Sequence, residues 1–273
     1  MNEYNKHCEK NEESIIAFKV FDQCKIQKCI TQGPVISQEK CTCIIVEPNS
    51  EDNLGRAILP EKPIYLPEIV SKTKVINNSF ETKKIEVFSI APSNIKEGYW
   101  DVEILFTFIF KIQLLDQNMN ILKILCCPDD CNSIKECTHI KNYIWGSVNY
   151  IEKLTLFGSE GNSPLIASDI ILNNQPPSEN LPHIFVESKA YFIDANIHNE
   201  EDICDGDIYD DPIIYVYITI GIFMIVKLFR LANILVESKG YSIPKQYCDN
   251  KLDDCELFGE IQFPDKAFSP PIK

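Results

Sequence analysis

The sequence predicts a mainly β protein: two related antiparallel β-sandwich-like modules with long strands, a Cys-rich N-terminal arm and a short C-terminal tail. Three observations carry this. Val102, Ile104, Phe106, Phe108, Phe110, Ile112 and Leu114 are all apolar at a spacing of two, with Glu103, Thr107, Lys111 and Gln113 on the other parity. Such alternation places one face of a strand in a core and the other towards water. Every even position from Ile214 to Leu228 is apolar as well, in a stretch rich in Ile, Val, Tyr and Thr that suits a pleated surface. The third observation is recurrence: a medium strand, a turn-rich or acidic loop and a long apolar strand occur in this order twice.

The first 60 residues hold Cys8, Cys24, Cys29, Cys41 and Cys43 among short apolar runs. They are read as a loop-rich arm, 1–60, with a few short strands such as Ile44 to Glu47. The first β-module, 61–174, opens near Pro63. Lys84 to Ala91 alternates, Pro92, Ser93, Asn94 and Gly98 form a connection, and the long strand from Val102 follows. Asp116 to Asn120 is a turn, and Ile121 to Cys126 is expected to return as its hairpin partner. Tyr143 to Phe157 supplies one long strand or a pair. Asn173 to Asn180, polar with two prolines, reads as a linker. The second module, 175–245, has a medium strand (Ile184 to Ile197), an acidic loop and the long strand from Ile214. A Cys-containing tail, 246–273, ends the chain. A single intertwined sandwich is the alternative architecture.

Composition excludes several functions. With 26 basic and 40 acidic residues the net charge is −14, which opposes nucleic-acid binding, where clustered positive charge must displace counterions. At 45% hydrophobic residues the chain can bury a core and is not intrinsically disordered. Ile213 to Val226 gives 14 uncharged residues before Lys227, short of the roughly 20 that cross a bilayer as a helix. The segment is read as a long strand or bent hairpin, and no membrane span is expected. The first 20 residues carry Glu12, Glu13 and Lys19 and lack a basic start followed by an apolar run, so no secretory signal is expected.

Enzyme motifs fall short, and no catalytic residue and no cofactor are expected. The ten glycines make neither a dinucleotide fingerprint nor a phosphate-cradling loop. Gly158-Ser-Glu-Gly161 lacks the spacing of a nucleophile elbow. His7, His139, His183 and His198 are mutually distant and read as surface or hydrogen-bonded residues. Glu200 to Asp211 holds seven carboxylates. It lacks the twelve-residue calcium loop with its closing Glu, so it reads as a solvated acidic loop.

The cysteines are the main signal. The chain has 12: Cys8, Cys24, Cys29, Cys41, Cys43, Cys126, Cys127, Cys131, Cys137, Cys204, Cys248 and Cys255. Structural zinc wants two short knuckles closing a tetrahedron. Only Cys24-x4-Cys29 and Cys127-x3-Cys131 approach that, and neither makes a good pair. The adjacent Cys126 and Cys127 point opposite ways on an extended chain and would seek different partners, which suits crosslinking. Each internal disulfide would add about 2–4 kcal/mol, and bonds between subunits would make an assembly indifferent to dilution. Reduced thiols packed as small apolar residues are the plain alternative. All twelve are carried as crosslink candidates, with no metal ligand assigned.

Several motifs resemble a family of cysteine-rich clostridial spore-surface proteins of the exosporium basal layer. They are Phe21-Asp-Gln-Cys-Lys-Ile-Gln-Lys-Cys29, Gly98-Tyr-Trp-Asp-Val102, Lys153-Leu-Thr-Leu-Phe-Gly-Ser159 and Ile218-Thr-Ile-Gly-Ile222, the last running on to Lys227-Leu-Phe-Arg230 and Val236-Glu-Ser-Lys-Gly-Tyr-Ser-Ile-Pro244. Lys25 and Ser242 stand where family members often carry Arg and Cys, which bears on particular crosslinks.

The resemblance implies a self-assembling, disulfide-reinforced, hexagonally ordered two-dimensional lattice around a spore. Its partners would be copies of itself and other spore-surface proteins. Synthesis in the mother-cell cytoplasm without a signal peptide, followed by oxidation after lysis, would reconcile many cysteines with no export signal. The alternative function is a zinc-stabilised β-rich module that docks other coat proteins.

Overall fold

The computed structural model describes residues 13–46, 55–126, 139–158, 166–167, 178–179, 182–200 and 213–236. Among them there is no helix. The strands are β1 (Glu13–Gln32), β2 (Ile36–Ser37), β3 (Cys43–Ile45), β4 (Ala57–Ile58), β5 (Tyr65–Leu66), β6 (Lys72–Val75), β7 (Glu81–Pro92) and β8 (Tyr99–Leu115). They continue as β9 (Ile124–Cys126), β10 (His139–Lys141), β11 (Ile144–Phe157), β12 (Ile166–Ala167), β13 (Ser178–Glu179), β14 (His183–Glu200) and β15 (Ile213–Val236). All pairings are antiparallel.

Two large sheets face each other. The first is built on β15, a single strand of 24 residues flanked by β1 and β14. The β14 strand already lines β15 from Ile213 to Phe229, so β5, which meets Ile214 and Tyr215, continues the row that β1 occupies on the other side. The second sheet is built on β8, with β11 along one edge and β6 and β7 sharing the other.

The apolar parities seen in the sequence meet between these sheets. Every even residue from Val102 to Leu114 is fully buried, as is every even residue from Val216 to Leu228. They belong to one continuous core. Burying each of Phe106, Phe108 and Phe110 contributes about 2–3 kcal/mol relative to exposure. The recurrence also has a spatial counterpart: β7 pairs with β8 in one sheet as β14 pairs with β15 in the other.

Two expectations need correction, and one open alternative is resolved. The N-terminal segment is not a loop-rich arm: β1 runs 20 residues and pairs with β15 from end to end. Its polar and Cys positions hid the alternation, and a one-residue bulge at Phe21 shifts the parity midway. Residues Ile121 to Cys126 touch β8 only at Leu115 and Leu114; they then leave to form β9, which pairs with β3 and β10. Of the two readings left open for Tyr143 to Phe157, the single long strand holds: β11 is in register with β8 over 14 residues.

Chain crossings and side chains close the sandwich. After β1, Gly33-Pro34 is cis and Val35 N–H still bonds Val216 O, before Ile36 joins the other sheet. Asp22 accepts from the Phe157 N–H at 2.8 Å, linking β1 to β11. On the far side Thr73 Oγ1 donates to Ala195 O at 3.4 Å, linking β6 to β14. The linker residues Asn173 to Pro177, the acidic loop after Glu200 and the tail 246–273 lie outside the described residues.

Candidate functional site

Two features of this frame bear on function: the cysteines and the outward face of the β15 sheet. Five of the twelve cysteines lie among the described residues. Cys43 on β3 and Cys126 on β9 stand directly opposite each other and form a disulfide, with Cα atoms 4.1 Å apart and 83 residues between them in sequence. Both are buried. Cys24 and Cys29 are disulfide-bonded too. Cys24 lies opposite Val226 on the core face of β1, and Cys29 opposite Gly221 on the outward face. Two side chains on opposite faces of one strand cannot grip one ion, so Cys24-x4-Cys29 is not a zinc knuckle. Cys41 is half-buried beside Cys43, whose sulfur lies 3.7 Å from the Cys41 carbonyl oxygen. Cys8, Cys127, Cys131, Cys137, Cys204, Cys248 and Cys255 lie outside the described residues.

Glu39, which the sequence reading did not single out, adjoins the Cys43–Cys126 bond. A carboxylate oxygen of Glu39 and the two sulfurs all lie within 4.8 Å of one another, and all three residues are buried. Glu39 accepts from Lys141 Nζ at 2.8 Å and from the Trp145 N–H at 3.0 Å. It therefore sits at the junction of the small β10-β9-β3-β4 sheet and β11.

A second buried polar group ties the large sheets together. Lys28 on β1 donates to Glu152 Oε1 on β11 at 2.9 Å, and Tyr150 donates to the other oxygen of Glu152. Burial first, and the Glu152 charge second, push the Tyr150 phenol well above its ordinary pKa. A signal for this was present. Lys28 falls on the parity of Cys24 and Ile26, and Glu152 on that of Val148, Leu154 and Leu156, so each interrupts an apolar face.

The outward faces of the sheets differ sharply. That of the β8 sheet is richer in polar groups and cross-linked by directly opposed pairs, with Ile151 exposed among them: Thr107 donates to Asn149 at 2.9 Å, Thr155 donates to Asp101 at 2.6 Å, and Lys153 pairs with Glu103 at 2.7 Å. The outward face of the β15 sheet is apolar. Phe18 packs edge-on against Phe229, ring centroids 4.9 Å apart, and His183 stacks on Phe229 at 5.5 Å. Tyr191 meets Phe223, and His198 meets Tyr217 at 4.7 Å. Phe18, Val20, Phe185 and Tyr191 are 40–56% exposed, while Phe223 and Ile225 near the centre of the face are buried. Charges are set among these rings: Lys227 pairs with Glu187 at 3.0 Å, and Lys25 and Lys189 lie opposite Ile225 and Phe223 on the same face.

Of the histidines with described side chains, His183 stacks on Phe229 and His198 meets Tyr217 edge-on, while His139 on β10 is exposed. An open cleft between β6 and β14, lined by Lys72, Thr73, Val75, Leu115, Phe192, Asp194 and Ala195, holds no cysteine or histidine. No helix among the described residues is long and apolar enough to cross a membrane. The described parts of the motifs behind the family resemblance fall on β1, the start of β8, the end of β11 and β15, strands that build the sandwich, while Ser159 and residues 237–244 lie outside the described residues. Comparison with protein families, curated proteins and solved structures finds no match.

Proposed function

We propose that this chain is a structural, non-enzymatic subunit that assembles with copies of itself into a disulfide-reinforced layer on a spore surface. It would be made in the mother-cell cytoplasm and oxidised afterwards. One observation carries the reading: β15 is apolar on both faces, its inward side chains filling the core and its outward neighbours forming an aromatic surface. Exposed apolar surface of this kind marks an interaction site. The more polar outward face of the other sheet makes the subunit two-sided, as a flat protective layer needs.

The disulfides at Cys24, Cys29 and Cys43–Cys126 lie within one subunit; they support an oxidised, disulfide-stiffened subunit, and bonds between subunits would fall to other cysteines. A lattice requires at least two contacts, one closing a ring and one joining rings. Strand edges such as that of β14, which pairs with β15 alone among the described strands, suit the second.

Negative-stain electron microscopy of the purified full chain, with and without a strong reductant, tests the proposal. Ordered sheets, tubes or rings support it, and the reductant arm shows whether disulfides hold the assembly or merely reinforce it. Dispersed monomers in both arms refute it.

A further inference from the structure

We propose that Glu39, Cys43 and Cys126 form a redox-gated site for a thiophilic divalent cation such as zinc, filled when the two sulfurs are reduced and closed to metal when they are joined. This does not depend on the assembly reading, because it rests on the geometry of one subunit.

The donor set is the starting point. Two cysteine sulfurs and a carboxylate oxygen lie within 4.8 Å of one another, all on buried residues. Zinc takes such S and O ligands at about 2.0–2.3 Å in a tetrahedron, which sets two sulfurs roughly 3.8 Å apart. Cys43 and Cys126 are directly opposed on neighbouring strands, so opening their bond separates the sulfurs without moving the backbones out of register. Water completes the fourth position.

Glu39 is held as a ligating carboxylate is usually held. Lys141 Nζ and the Trp145 N–H each take one hydrogen bond, leaving lone pairs on both oxygens for a cation. The charges also close. Two thiolates and a carboxylate facing a divalent ion leave one negative charge, and the Lys141 ammonium cancels it. Without the metal, reduction leaves Glu39 and Lys141 paired beside two thiols that have no charge to balance.

The chemistry balances in both directions. On loading, two thiols each release a proton and the ion takes their place. On closure, a low-molecular-weight disulfide such as oxidised glutathione accepts two electrons from the two thiolates, its own bond breaks, and it leaves as two thiolates that take protons from water. The Cys43–Cys126 bond forms and the ion departs to water. The surrounding sheet consists of strands of two or three residues, so local opening admits a small oxidant at low cost.

The test uses the full chain, reduced, freed of metal with a chelator and desalted under anaerobic conditions. Oxidised glutathione is added with and without one equivalent of zinc. Non-reducing digestion and mass spectrometry follow the peptide linked by Cys43 and Cys126, with fragment spectra separating Cys126 from Cys127. Zinc is expected to slow formation of this link at least tenfold, and the effect is expected to vanish in Glu39→Gln, which keeps the Trp145 hydrogen bond. Equal rates with and without zinc in the native chain overturn the proposal, as does equal zinc protection in Glu39→Gln. Loss of the β far-ultraviolet signal in the reduced, zinc-loaded chain overturns it as well.

Discussion

Lys28 Nζ lies 2.9 Å from Glu152 Oε1, and this ion pair joins the edge of one large sheet to the edge of the other across the core. The partners are unequal. The Glu152 side chain is wholly buried, while Lys28 keeps 26% exposure and can carry its ammonium towards water on a flexible stem. Removing the lysine therefore strands a buried charge, and removing the carboxylate does not. Lys28→Ala is expected to destabilise the fold by about 3 kcal/mol and Glu152→Gln by about 1 kcal/mol. Urea unfolding of both variants checks the order, and equal losses would refute the asymmetry.

Tyr150 makes stability fall at high pH. Its pKa is raised in the folded protein by burial and by Glu152, whereas the unfolded chain titrates near 10. Below pH ~10 both states hold the proton and the contribution is fully present. Above it the unfolded state loses the proton first, so stability drops by up to about 1.4 kcal/mol per pH unit. The difference between native and Tyr150→Phe unfolding free energies should converge as pH rises from 9 to 11 (roughly the window of the unfolded phenol). Parallel curves would refute it.

The Cys43–Cys126 bond closes a long loop. Cys43→Ser with Cys126→Ser is expected to cost about 2–4 kcal/mol without changing the far-ultraviolet spectrum, because β3 and β9 also pair through backbone and packing. Thermal unfolding under oxidising conditions reads the loss, and an unchanged melting temperature would mean the crosslink is idle.

Gly146 leaves no room for a side chain. An added Cβ would stand 2.6 Å from Val35 Cγ1 and 3.3 Å from both Ile112 and Phe110, all in the core. Gly146→Ala is expected to cost about 1–3 kcal/mol through overpacking. The denaturation midpoint measures it, and a stabilised variant would show that β11 can shift away from Val35.

The apolar outward face of the β15 sheet gives the sharpest test of assembly. Phe18→Glu with Phe185→Glu replaces exposed rings, so the melting temperature of the subunit should change little. Ordered arrays, if this face joins subunits, should disappear under the microscope. Persistence of the arrays with the same lattice spacing would place the contact elsewhere.

How much of this was legible depended on whether one strand carried its own signal. Val102 to Leu114 and Ile214 to Leu228 announce themselves because each buries an unbroken same-parity row, and no neighbour is needed to see it. The β1 strand does not, because Asp22, Cys24, Lys28 and the bulge at Phe21 break its rhythm; only pairing with β15 makes them a strand. Glu39 was invisible for a related reason. It is an ordinary Glu in a polar stretch until Lys141, Trp145, Cys43 and Cys126, all distant from most of one another in sequence, converge on it.

The amino-acid sequence by itself determined the all-β architecture, the two long strands around which the sheets are built, and the prominence of cysteine. Those follow from local alternation and composition, which act within a few residues. Tertiary structure alone decided that the N-terminal segment completes the β15 sheet, that Lys28 meets Glu152, and that Cys43 meets Cys126 beside a buried carboxylate. These are contacts between segments tens to hundreds of residues apart, and the closing of two sheets on one core is the physical event that selects them.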